Sequence, residues 1–187
     1  MKKLFFLAAF AVFGLSNVTA QVTFGAKAGV NLASINGDNS DDADGLTSFH
    51  VGGVAKIAIS EFFSLQPELI YSLQGYTADT GFGDLDVKLS YINIPIMADF
   101  MIMEGLSLQG GPQIGINLSG EADLDGETTD IEGIETLDIA AGIGAQYKLA
   151  SNGLFFQARY VTGLTEIVKD SGQKNGVISL SVGYMFN

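Results

Sequence analysis

Seven connections separate eight apolar–polar segments in this chain, and they alternate strictly between long acidic stretches and very short turns. The segments read as strands at 22–34, 48–60, 63–76, 87–102, 106–119, 136–149, 154–164 and 177–186. Between them lie Ile35 to Thr47, Glu61-Phe62, Thr77 to Asp86, Met103-Glu104-Gly105, Gly120 to Glu135, Ala150 to Gly153 and Thr165 to Gly176. Such a rhythm restricts the chain to a meander of hairpins, with the long loops at one end and the tight turns at the other.

Period two is clearest in the last strand, where Ile178, Leu180, Val182, Tyr184 and Phe186 share one face and Ser179, Ser181, Gly183 and Met185 the other. The first strand repeats this, with Phe24, Ala26, Ala28, Val30 and Leu32 opposite Thr23, Gly25, Lys27, Gly29 and Asn31. The composition of the polar face decides which face is the inner one. A water-facing surface would be rich in Lys and Glu, but here it carries Ser107, Gln109, Gly111, Gln113, Gly115, Asn117 and Ser119. Small polar residues suit the narrow interior of an eight-stranded barrel, which side chains fill. The apolar face then points outward to lipid, and the expected fold is an eight-stranded antiparallel transmembrane β-barrel. Phe24, Phe62, Phe63, Phe100, Tyr147, Phe155, Phe156, Tyr184 and Phe186 all fall near the short turns, where a periplasmic aromatic girdle belongs.

The first residues agree with export. Lys2-Lys3, an apolar stretch from Leu4 to Leu15 and the small residues Val18 and Ala20 read as a secretory signal spanning residues 1–20, cleaved before Gln21. Residues 21–187 then form the barrel domain, and losing Lys2 and Lys3 takes the net charge from −12 to −14. Such acidity argues against a nucleic-acid partner. The chain has no cysteine, so it uses neither disulfides nor a cysteine-bound metal.

Four short segments, Gln66-Pro67-Glu68-Leu69-Ile70-Tyr71-Ser72, Tyr91-Ile92-Asn93-Ile94-Pro95-Ile96, Gly110-Gly111-Pro112-Gln113-Ile114-Gly115 and Ala158-Arg159-Tyr160 through Gly163-Leu164-Thr165-Glu166-Ile167, resemble the PorT-like outer-membrane β-barrel family common in Bacteroidota. The resemblance implies an integral outer-membrane protein inserted by the barrel-assembly machinery, with some relatives linked to secretion of surface proteins. It carries over no catalytic residue. The chain ends Tyr184-Met185-Phe186-Asn187, whereas the usual assembly signal has its aromatic at the last position.

With the apolar face outward, the lumen receives Lys27, Lys56, Glu68, Asp99, Asp138, Lys148 and Arg159. Charges in so narrow a space are expected to pair, because an isolated buried charge is costly. Glu68 and Arg159 lie at similar heights and are expected to bridge the barrel, with Asn93 and Gln66 satisfying the leftover polar groups. Pro95 and Pro112 fall inside strands, where each removes a ladder donor, and bulges are expected there.

The outer loops hold Asp38, Asp41, Asp42 and Asp44, then Asp79, Asp84 and Asp86, then Glu121, Asp123, Asp125, Glu127, Asp130, Glu132 and Glu135, which is 14 of the 21 acidic residues. Their ordinary consequence is a solvated surface that repels nonspecific contacts. Within the third loop, Glu121, Asp123 and Asp125-Gly126 followed by Glu132, with Glu127 between, match the spacing of a calcium-binding EF-hand loop. The match departs at Glu121, where the pattern has Asp, and at polar Thr128, and it lies between strands rather than helices. Calcium is therefore the one cofactor the sequence raises.

His50, the only histidine, lies near the outer end of the second strand with Ser48 beside it, which raises a lipid-modifying Ser–His enzyme as a remote alternative. No nucleophile motif accompanies it, and no enzyme is expected. The sequence thus predicts an outer-membrane barrel in contact with lipid, with a structural or surface-interaction role, a secretion-apparatus or surface protein as partner, and a calcium- or protein-binding loop at 120–135 as the alternative.

Overall fold

A computed structural model describes residues 21–37, 43–79, 84–124, 127–131, 133–149 and 152–186. The signal segment 1–20, loop residues Asp38, Asp41, Asp42, Asp125 and Glu132, and Asn187 lie outside the described residues. Alternating segments rich in β-branched and aromatic residues become the strands β1 (Val22–Gly37), β2 (Ala43–Ala58), β3 (Phe63–Asp79), β4 (Asp84–Met103), β5 (Leu106–Leu124), β6 (Glu127–Asp130), β7 (Leu137–Lys148), β8 (Leu154–Gly163) and β9 (Gln173–Phe186). All pairings are antiparallel and join consecutive strands except that β5 also pairs with β7, and β1 closes on β9 from Phe24 opposite Phe186 to Gly37 opposite Gln173. Eight strands form the ring, which leaves the wall without a free edge.

The ninth strand is a correction to the sequence reading of 120–135 as loop. The upper part of β5 pairs with β6, from Glu121 opposite Asp130 to Leu124 opposite Glu127, while its lower part pairs with β7. β3, β4 and β5 also continue outward, with Asp79 opposite Asp84 and Leu85 opposite Leu124. The rim is therefore uneven, and a wall of β3 to β6 stands above the side formed by β7 and β8.

Outward side chains are the apolar ones: Phe24 is 62% exposed and Ile143 67%, with Leu69, Leu180 and Phe186 similar. A continuous apolar belt of this kind belongs in lipid rather than water. Phe155 departs from the expected girdle, because it sits fully buried inside the barrel against Val54 and Met185 near the short turns. Ser119 also departs, being exposed rather than luminal. A register shift between Ser90 and Tyr91, which face Ser119 and Asn117, reverses the alternation above it.

The expected bulges at Pro95 and Pro112 are absent. Pro95 faces Gln113 and Ala98 faces Gly110 in one unbroken register, and the β4–β5 shifts fall instead at Ser90/Tyr91 and Met101/Met103. The prolines leave gaps in the ladder without offsetting it.

Candidate functional site

Three layers fill the lumen. At the outer end, Ile35, Val87, Leu89, Tyr91 and Ile167 form an apolar cluster on which Ile131 and Ile134 pack. Ile167 comes from the β8–β9 connection and Ile131 and Ile134 from the β6–β7 connection. The two segments are tied by the Glu135 amide donating to the Ile167 carbonyl at 2.8 Å and by an Ile134–Val168 bridge. At the end with the short turns, Val54, Phe155 and Met185 form a smaller cluster.

Between these clusters lies the polar layer, placed there because β-strand alternation sends every second residue inward. Arg159 on β8 grips Glu68 on β3 with both terminal nitrogens, Nη1 to Oε2 at 2.9 Å and Nη2 to Oε1 at 2.7 Å. Lys27 on β1 meets the same carboxylate at 2.7 Å. Gln66 Nε2 donates to Glu68 Oε1 at 2.8 Å, but the amide oxygens of both Gln66 and Asn93 are buried without a partner. Lower down, Asp99 on β4 accepts from Lys56 at 2.8 Å, Ser64 at 3.1 Å, Ser107 at 2.8 Å and Gln109 at 2.8 Å. Each charge is thus held by a countercharge and by hydrogen bonds, the condition under which buried ions persist.

Glutamines, which the sequence reading treated only as polar filling, join the two groups. Gln109 donates to Asp99 and accepts from Arg159 Nη2 at 2.9 Å and from Gln157 at 2.8 Å. Lys27 Nζ donates to Gln157 Oε1 at 2.7 Å, and Gln146 accepts from Gln109 at 3.3 Å and Gln157 at 3.2 Å. A signal was present, since these residues share the inward parity of the charged ones; their relative heights needed the strand register.

Two expected members stand apart. Asp138 lies toward the outer end of β7 and accepts from Thr165 Oγ1 at 2.9 Å and Asn175 Nδ2 at 3.1 Å, with no cation beside it among the described residues. Lys148 lies ten residues along the same strand, roughly 33 Å away at a strand's rise per residue, and makes no ion pair among the described residues. Sharing one face does not bring groups together when they sit at opposite mouths of the barrel.

The calcium candidates are described only in part, since Asp125 and Glu132 lie outside the described residues. Glu121, Asp123 and Glu127 lie on the extended β5–β6 hairpin instead of a turn that wraps around one point, and Asp123 meets Lys88 at 3.2 Å. No three carboxylate or histidine groups converge among the described residues. An EF-hand loop needs its first six residues folded tightly, whereas β5 runs straight through Glu121 to Leu124.

His50 is buried with its Nδ1 2.8 Å from Asn31 Oδ1 and its Nε2 2.8 Å from Ser181 Oγ. The Asn31 amide nitrogen donates to the Leu73 carbonyl at 2.8 Å, so its oxygen faces the imidazole and Nε2 accepts from the serine. Ser48, the neighbour considered from sequence, instead donates to Leu73 O at 2.6 Å. The Ser181–His50–Asn31 order is that of a hydrolytic triad, but all three residues are buried and the adjoining cavity of about 30 Å³ admits nothing as large as an ester substrate. The arrangement tethers β1, β2 and β9.

Comparison with known proteins accords with this geometry. Residues 8–169 match a family described as outer membrane protein beta-barrel domain. Ail, the attachment invasion locus protein of Yersinia pestis, superposes with a TM-score of 0.56 at 16% identity, covering 89% of this chain and 99% of Ail. Neisserial surface protein A superposes with a TM-score of 0.61 at 17% identity, covering 89% and 99%. Ail has also been solved with the heparin analogue sucrose octasulfate, a structure that gives a TM-score of 0.54 at 16% identity over 89% and 99% of the two chains. No curated protein matches the chain.

Proposed function

The chain belongs to the outer membrane protein beta-barrel domain family, and from that membership we propose a closed surface barrel: a lipid-embedded anchor, exported with removal of residues 1–20, whose acidic outer rim meets its partner. The observation that carries this reading is the layering of the lumen, in which the Glu68 network is sandwiched between the Val87–Ile167 and Val54–Phe155 clusters. A barrel filled in this way offers rigidity and no aqueous path. His50 has a structural role in this reading, and the protein is not an enzyme.

The partner chemistry follows from the rim. Asp86, Glu121, Asp123, Glu127 and Asp130 lie on the raised β3–β6 wall, so a basic surface is the complement, unlike the polyanion bound by Ail. A secretion-apparatus or surface protein of the kind associated with PorT-like barrels fits that role. The purified barrel in planar bilayers tests the closed lumen: no porin-like current steps are expected, and steady steps at neutral pH would refute it. Crosslinking on intact cells tests the rim, and capture that is unchanged when Glu121, Asp123, Glu127 and Asp130 are all changed to Asn or Gln would refute an acidic docking face.

A further inference from the structure

The polar layer is not electrically balanced at its centre. Glu68 carries one negative charge, yet Lys27 and Arg159 both contact it at 2.7 Å. Asp99 does not make up the difference, because it is matched by its own Lys56 at 2.8 Å. Lys27, Glu68 and Arg159 are each at most 5% exposed. Asp138 is bound to Thr165 and Asn175 and does not line the central cavity. A net positive charge in a packed interior is costly unless a countercharge lies in contact with it.

Beside this excess lies the cavity of about 30 Å³, lined in part by Lys27, His50, Glu68, Asn93, Gln113 and Arg159. About 10–15 Å³ of such space holds one water, so there is room for one small ion and a water molecule. Arg159 Nε, a donor, is buried without a partner, and so is the Asn93 amide oxygen. Turning the Asn93 amide about its last bond would offer its NH₂ group as a second donor.

We propose that this cavity is a binding site for a small monovalent anion of the halide class, held by Lys27 and Arg159 against the excess charge and ligated by Arg159 Nε–H and the neighbouring amides. The geometry selects size as well as charge, so chloride and bromide fit while gluconate and sulfate do not. The site is internal to the folded barrel and independent of any rim partner.

The test uses the full mature barrel purified in detergent. Thermal unfolding is followed in chloride, bromide and gluconate at one ionic strength, and a rise of about 3–6 °C in the halides is expected where the ion stands roughly tenfold above its dissociation constant. Lys27→Gln removes the excess charge and should abolish the difference between halide and gluconate. Glu68→Gln increases the charge and should widen the difference if that variant folds. Should both variants fail to assemble, anomalous scattering from bromide-grown crystals of the unaltered protein decides. Bromide beside Arg159 supports the site; equal unfolding in all three salts, or a cavity that scatters only as water, overturns it.

Discussion

At the scale of single residues, the polar layer stands on Glu68. Its carboxylate joins β1, β3 and β8 through Lys27 and Arg159, and removing it leaves two cations facing one another in a buried space. Glu68→Ala is expected to lower unfolding stability by about 3–5 kcal/mol, the range for breaking a buried pair from one side. Urea titration of the detergent-solubilised barrel measures it, and an unchanged midpoint would mean the pairing contributes nothing. The Glu68–Arg159 contact was legible in the sequence because both residues carry inward parity and similar distances from the short turns. The surroundings of His50 were not, since Ser181 lies 131 positions away and only the closing of β1 on β9 brings it within reach.

At the scale of strands, alternation was the readable signal and its interruptions were not. The outward row of β9 shows what the alternation is for: Leu180 sits mid-row in the lipid-facing belt with Ile178, Val182 and Tyr184. Leu180→Arg should destabilise the barrel by about 2–4 kcal/mol, the depth-dependent penalty for a cation on the lipid face. Equilibrium unfolding in lipid vesicles measures this, and a neutral result would place β9 the other way round. The β5–β6 hairpin escaped sequence reading because the segment is acidic and includes the Asp125-Gly126 pair, a composition that ordinarily marks a loop. Ser119 escaped because a single extra residue at a register shift reverses the facing of all that follows.

For the molecule as a whole, the architecture is an ordinary protein reversed, with a greasy exterior around a hydrogen-bonded core. The protein should fractionate with outer membranes and run faster on a detergent gel when unboiled than when boiled. A soluble product with no shift would reverse the sheet and make the apolar face a ligand cavity. The order of folding follows from the closure of β1 on β9. Two of the luminal bonds span the ring, Lys27 reaching the neutral amide of Gln157 across 130 positions and Arg159 reaching its countercharge Glu68 across 91. Before the seam zips, Lys27–Glu68 and Lys56–Asp99 can already form within the β1–β4 meander, but Arg159 on β8 has no countercharge to meet, and it would cost about 2–4 kcal/mol if it entered lipid on an open strand. The surroundings of Arg159 must therefore stay hydrated until the two terminal strands find one another, so that the last hydrogen-bonded pair to form is also the step that dries the core.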